Sequence, residues 1–384
     1  MQTKDFQTKT INMPCKFPCN EKHWVIGLDI GYSGVKGISP NKYFCFPAYA
    51  KKIPEDRVVL RDAVDSDIRY RDASGEWVVG DLAYAELNAT EIIDSEEELY
   101  GRNRYFSDMF RVVSRTGIAL GLLANDLGNP EGKKLSIQTG LPPKYLKQDT
   151  PYLKDVLAGT HIFEIKLGRH PWQKFTYTLD SNNIYVIPQP LGALLSASID
   201  KTGKVLPIAK KYFSSNLIVF DPGFGTTDTY PVRSGNVIGT GETFPEYSMH
   251  EVFSRTCQDI YNNYGRELSI TQLQTKLKDG IITITDRRQM RSENKSFASI
   301  LDRNCRNVCS DVVEKLKSVY DYFSDYDYII AAGGTYDAWA EDFNAVFKGM
   351  QNLLIVPGNI NDPSLSNIFS NVRGYYFNLV NRLR

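Results

Sequence analysis

Two aspartates hold the chemistry that this sequence is best equipped to do. Asp29 ends the apolar run in "WVIGLDIGYSGVKGI" (Trp24–Ile38), and Asp221 ends the one in "IVFDPGFGTTDTY" (Ile218–Tyr230). A carboxylate at the buried end of a strand costs free energy unless it is paired or binds a cation. Two such carboxylates facing each other across a cleft suit a hydrated Mg²⁺, which keeps most of its waters and takes one or two carboxylates plus phosphate oxygens. The turns behind them fit the same purpose. Gly31, Ser33 and Gly34 let backbone N–H groups approach phosphate with no Cβ in the way, and Gly223, Gly225, Thr226 and Thr227 do the same from the other side with two hydroxyls added. Lys36, two residues past the first turn, can reach back as a point charge on a phosphate oxygen.

Taken singly, each of these features has an ordinary reading, since an aspartate after a strand is usually a turn or cap residue and a glycine-rich turn is usually only a turn. Their duplication makes the case. The two segments align at a constant offset of 192 residues, half the chain: Ile26 meets Ile218, Asp29 meets Asp221, Gly31 meets Gly223 and Tyr32 meets Phe224. Each reads as an apolar strand, an aspartate, a tight turn and a second strand, so the chain reads as two related halves.

The elements between and after them alternate. "EWVVGDLAYAEL" reads as a strand to Val79 and a helix from about Asp81; "DMFRVVSRTGIALGLLAND" has helical spacing; "KLSIQTGLP" is a buried strand; "HIFEIKLG" and "KFTYTLD" are neighbouring strands. "NIYVIPQPLGALLSASID" is a strand from Ile184, a proline-bracketed turn and a helix from about Leu191. Past Asp221, helices are expected from Ser248 to Gly265, over Ser296–Phe323 as one long helix or a broken pair, after Gly334 and at the end of the chain, with strands at "YDYIIAAGG" and "NLLIVPG". The fold class is α/β in two lobes: a polar tail over 1–22, a first lobe over 23–188 and a second over 189–384 that includes the C-terminal helix.

Two further features belong to the chemistry. Gln189 sits between two prolines at a helix start; it is either a polar turn residue or a side chain that orients a water attacking a γ-phosphate, because glutamine cannot take up a proton usefully at neutral pH. Gly333 and Gly334, between a strand and a helix, are either a simple turn or a place where the backbone passes flat against a base or ribose.

The ordered set of Asp29-x-Gly31, "IPQPLGALL", "FDPGFGTTD" and "IIAAGGTYDAW" resembles the two phosphate motifs, the connecting motif and the adenosine motif of the actin and sugar-kinase ATPase superfamily, over about residues 24–380. Within it the chain is most similar to bacterial actin-like proteins of the ParM and Alp type, which segregate plasmids, and "NIFSNVRGYYFNL" is similar to the C-terminal helix of that group. The resemblance implies the actin-like ATPase fold, two RNase H-like lobes around a nucleotide cleft that holds Mg²⁺ and ATP or ADP, with GTP left open. It assigns the metal to Asp29 and Asp221, the phosphates to Ser33, Lys36, Gly223, Gly225, Thr226 and Thr227, and the adenosine to Gly333 and Gly334. Gln189 stands where actin has its water-orienting glutamine, and Asp228 where some members place the attacking water through a second acid. The family's nucleoside-contacting Lys/Glu pair has no clean match, although "GTGETFPEYSMHEVF" offers Glu242 and Glu246. The implied function is a nucleotide-dependent, self-assembling filament in the cytoplasm, reaching plasmid DNA only indirectly through a DNA-binding adaptor.

Composition restricts the alternatives. Among 384 residues, Lys plus Arg and Asp plus Glu number 45 each, so broad electrostatic binding to nucleic acid or an anionic membrane is disfavoured. No apolar run has the length of a membrane span and no signal-peptide pattern opens the sequence. The six cysteines lack histidines nearby to complete a zinc set, and free thiols in a reducing compartment are the expectation. A small-molecule kinase would want a sugar-binding signature that 40–180 does not show. A heat-shock-type chaperone would want a peptide-binding domain, and a cell-shape actin a membrane-targeting helix.

Overall fold

The computed structural model describes residues 2–54, 61–87, 101–286 and 288–384. Two sheets with the same order and polarity form its frame. In the first, the strand His23–Ile30 pairs antiparallel with Gly34–Ser39, which pairs antiparallel with Lys42–Pro47; on its other side His23–Ile30 runs parallel to Lys134–Leu141, itself parallel to Ile184–Pro188. In the second, Asn216–Pro222 pairs antiparallel with Thr227–Arg233 and that with Asn236–Val237, while on the other side it runs parallel to Tyr328–Ala331 and then Leu354–Pro357. The internal repeat read from two short segments is therefore a repeat of whole sheets. Each aspartate occupies the same place in its sheet.

The two central strands read as unbroken apolar runs because both of their faces are covered. Successive side chains of a strand point to opposite faces. Trp24, Ile26, Leu28 and Ile30 enter the core that holds Ile118 of the helix Asp108–Leu122, whereas Val25 enters the one built around Val372 and Tyr376 of the last helix, Ser370–Arg382. In the second sheet Ile218 and Phe220 join the core with Val252 and Trp339, and Leu217 and Val219 face Ala193, Leu194 and Ala197 of the helix Gln189–Ala197.

A second sheet in the first half (Gln173–Leu179, Gly159–Leu167, Ile68–Asp72, Gly75–Val79 and Ala50–Ile53) carries the alternating strands expected at "HIFEIKLG" and "KFTYTLD". The counterpart in the second half is helical: Met249–Tyr264, Ile270–Lys276 and one unbroken helix, Ala298–Val319, joined by the hairpin Ile281–Asp286/Arg291–Ser296. That hairpin is mostly exposed: its second strand is polar, and on its first only Ile282 is buried, with Ile284 packed partly buried against the same core.

Two boundaries differ from expectation. The last helix, expected within the second lobe, packs on the first sheet as well as on the helix Gln189–Ala197, because its apolar residues cover the face that carries Val25 and Ile38. The stretch read as a polar tail is structured: Ile11–Pro14 adds an edge strand to Lys42–Pro47, Phe17 is buried against Tyr376 and Phe377, and the Asn20 amide donates to the Leu383 carbonyl at 2.9 Å. Among the described residues no helix is long and apolar enough to cross a membrane.

Candidate nucleotide site

The hairpin turns of the two sheets face each other across a cavity of about 340 Å³, within the size range of small-molecule and cofactor sites. Asp29, Ser33 and Lys36 line it from one side, Asp221 and Gly223 from the other, with Gln189, Gly333 and Gly334 between. Both aspartates are buried, and they come from the penultimate positions of the equivalent strands.

The registers set different partners. Asp29 lies opposite Lys36 on the outgoing strand, and the Lys36 ammonium donates to Asp29 Oδ2 at 3.3 Å. Burial disfavours the Lys36 cation, but Asp29, with the Cys45 thiol and Asp221 beyond it, outweighs burial and leaves its pKa raised. Asp221 lies opposite Asp228. Burial pushes Asp221 up to about 6 and Asp29 pushes the same way, against hydrogen bonds from Asn371 and Gln189 and the charge of Lys36. The Asn371 amide, from the last helix, donates to Asp221 Oδ2 at 2.7 Å. Burial carries Asp228 further, to about 8, with Asp221 adding to it.

This donor set fits a hard divalent cation bridged to phosphate. Two buried carboxylates offer oxygens only, and a raised Asp221 pKa is what a cation beside it would reverse. Among the described residues no group of three or more histidine, cysteine or acidic side chains could hold a metal by itself, so the remaining ligands would be water and phosphate, as Mg²⁺ prefers.

Gly333 opens the helix Gly333–Phe347 at φ +86°, and a Cβ there would lie 3.3 Å from Asp221 Oδ1. Only glycine combines that dihedral with that proximity. The first turn of this helix thus abuts the aspartate, and its free backbone N–H groups favour an anion. The Thr335 hydroxyl donates to the Gly223 carbonyl at 3.1 Å and ties the second hairpin to the same helix. Gln189 begins the helix Gln189–Ala197 at the end of the strand Ile184–Pro188; the Tyr375 hydroxyl donates to its carbonyl at 3.2 Å.

The other expected residues shape the hairpins without lining the cavity. The Gly31 N–H donates to the Gly34 carbonyl at 3.1 Å, and the Gly223 N–H to that of Thr226 at 2.7 Å. A Cβ on Gly225 would stand 2.5 Å from the Tyr32 ring, so the second hairpin rests on the first at this point. The Arg104 guanidinium lies 4.1 Å over that ring and donates to the Ile30 carbonyl at 2.9 Å. The Thr226 and Thr227 hydroxyls are turned inward, onto Asp228 Oδ2 at 3.0 Å and onto the Tyr247 carbonyl. Asp228 also accepts from Thr243 at 2.6 Å, so both of its oxygens are occupied behind the cavity wall. Glu242 and Glu246 are exposed and do not line the cavity.

Sequence reasoning missed Asn371, Thr335 and Asp337. Asp337 accepts from the Asn367 amide at 3.1 Å, and burial raises its pKa. Asn371 lies within "NIFSNVRGYYFNL", a segment with a visible pattern but no glycine-rich turn or paired acid to mark it as part of a site.

Residues 27–192 match a family model described as the N-terminal domain of actin-like proteins. No curated protein matches the chain. Among solved structures, a non-polymerisable quadruple mutant of pCBH ParM is 20% identical, covering 94% of this chain and 100% of its own, at a TM-score of 0.68. A 15-stranded ParM filament from Clostridium botulinum is 19% identical over 94% of this chain and 99% of its own, at 0.67. Ta0583, an archaeal actin homologue in complex with ADP, is 14% identical over 94% and 99%, at 0.60. At these identities the likeness establishes the fold.

Proposed function

From a chain that carries the actin-like fold and, over residues 27–192, the N-terminal domain of actin-like proteins, we propose a nucleotide-dependent, filament-forming ATPase. One observation supports it above the others: Asp29, Asp221, Gln189 and the Gly333–Gly334 turn line a single cavity between two sheets of the same topology.

In this reading Asp29 and Asp221 would hold Mg²⁺, which would supply neutralisation of the phosphate charge. Lys36 and the two hairpin backbones hold the phosphate oxygens, and Gly333 and Gly334 lie against the nucleoside. The Gln189 amide orients the attacking water. Asp228, with both oxygens already engaged, acts as a brace for the second hairpin and sets its electrostatics. ATP is the proposed nucleotide, and GTP competes with it in the assay below.

Assembly is head to tail, since a heterologous contact that does not close produces a filament; the C. botulinum ParM of like fold is a 15-stranded filament. The biological reading is plasmid segregation in the cytoplasm through a DNA-binding adaptor, for which zero net charge suits indirect contact with DNA.

Light scattering and phosphate release with Mg-ATP or Mg-GTP test this. Assembly and turnover should both require nucleotide and Mg²⁺, and Asp221→Ala should lower turnover by at least about a hundredfold. Unchanged turnover in that variant would remove the metal assignment. A protein that stays monomeric at tens of micromolar with either nucleotide would remove the filament.

A further inference from the structure

The stretch Thr3–Thr10 has no place in the nucleotide chemistry, yet Asp5–Lys9 line the same cavity as Asp29 and Asp221. It is fixed at both ends, to opposite lobes. On the first lobe it continues into the edge strand Ile11–Pro14, and Thr10 donates to Asp81 Oδ2 through its N–H at 3.3 Å and its hydroxyl at 2.6 Å. Thr8 covers the first phosphate hairpin: a Cβ on Gly34 would lie 2.9 Å from the Thr8 methyl and 3.7 Å from Cys45 Sγ. On the second lobe Phe6 packs against the hydrophobic core that contains Phe253, Leu273 and Leu277. Thr3 is buried on Gly280, where a Cβ would lie 2.7 Å from the Thr3 hydroxyl. A short turn, Thr3–Phe6, presents both of these side chains to the second lobe.

We propose that Thr3–Thr10 is a strap across the cleft that holds the two lobes together and limits nucleotide exchange. The two anchors cannot separate while both hold, so the lobes open only after one lets go. The weaker anchor is the second-lobe one, made by a half-buried phenylalanine and a threonine with no sheet pairing behind them. A direct bond between the lobes lies nearby, from the Tyr84 hydroxyl to Gln274 Oε1 at 2.6 Å, so releasing the strap loosens the lobes without severing every tie. The strap rests on the nucleotide reading only for what it gates.

Phe6→Ala and Thr10→Val test it from the two sides in the full chain, at protein concentrations where scattering shows no assembly. Two readouts are needed. The first is release of a fluorescent ADP analogue chased with excess ATP. The second is alkylation of Cys45 without nucleotide, read by peptide mass spectrometry, because Cys45 lines the cavity beneath Thr8. Phe6→Ala should speed both by about tenfold and Thr10→Val both by about threefold, the expected order for a lost packing anchor and a lost hydrogen bond. Cys45 alkylation unchanged in Phe6→Ala overturns the proposal. If analogue release rises while alkylation does not, the segment is a nucleotide contact, and the strap is equally overturned. If the unaltered chain binds no nucleotide analogue, the nucleotide reading fails, and Cys45 alkylation alone still decides the strap.

Discussion

At the scale of residues, Asp221 and Asp228 sit opposite each other on adjacent strands, buried, and both are held above the ordinary carboxylate value of 3.8. The consequence for stability has a definite sign. An acid with a raised folded pKa binds protons more readily in the native state than in the unfolded one, so stability falls as pH rises through the window between the two values. That window runs from about 3.8 to 6 for Asp221 and from about 3.8 to 8 for Asp228. Without Mg²⁺ or nucleotide the melting temperature should therefore decline from pH 5 to pH 8.5. Asp228→Asn keeps a partner for the Thr226 and Thr243 hydroxyls and removes the larger part of the cost. It should flatten that decline and melt at least about 2 °C above the unaltered chain at pH 8.5; an equal or steeper decline in the variant would contradict the assignment of the shift to Asp228. A bound cation should restore the ionised form of Asp221, so Mg-nucleotide binding should weaken below about pH 6.

At the scale of elements, the helices Gln189–Ala197 and Ser370–Arg382 join the halves. Gly374 makes their contact possible, since a Cβ there would fall 1.9 Å from the Gly192 carbonyl oxygen. Arg373, fully buried beside it, donates to the carbonyls of Ser196 at 2.7 Å and Asp200 at 2.6 Å and so satisfies the end of the first helix. Backbone meets backbone at Gly374, so no side chain can yield. Gly374→Ala should cost about 2–3 kcal/mol, measured by denaturant unfolding, and should slow turnover more than it weakens nucleotide binding, because Tyr375 and Asn371 on the same helix hold Gln189 and Asp221. Much of this level was legible. The apolar runs, the aspartates that end them and the 192-residue offset lie in local sequence, and each corresponds to a strand and hairpin in the structure. The pairing of the last helix with the first sheet was not legible, because the residues that meet, such as Val25 and Val372, are far apart in the chain and carry no local mark of their partner. Asn371 was missed for the same reason. The inward turn of Thr226 and Thr227 was missed because strand sequence alone does not tell which face of a hairpin a hydroxyl takes.

At the scale of the whole molecule, the site is divided between two halves that neither half completes. Asp29 with Lys36 comes from one sheet, Asp221 with Gly333 from the other, and Gln189 from the helix between them. A ligand that contacts both sides favours the arrangement in which they are close, by as much as its affinity for that arrangement exceeds its affinity for the open one. A self-contact that also prefers the close arrangement is then coupled to the ligand, and the coupling is reciprocal. In the proposed function, hydrolysis would change the ligand and so withdraw part of that preference. Slowing hydrolysis without touching binding should therefore prolong assembly. Gln189→Ala is the variant for this purpose: it removes the amide and with it one hydrogen bond to Asp221, while leaving both carboxylates, the Asn371 bond to Asp221, Lys36 and the backbone carbonyl that Tyr375 holds. Its turnover should fall by about a hundredfold to a thousandfold, with nucleotide affinity within about threefold of the unaltered chain. In a scattering time course with limiting Mg-ATP, the unaltered chain should rise and then decay as ATP is consumed, whereas Gln189→Ala should rise and hold. Decay at the unaltered rate despite slowed phosphate release would mean that assembly does not read the state of the nucleotide. A loss of binding equal to the loss of turnover would make Gln189 a structural residue of the helix start.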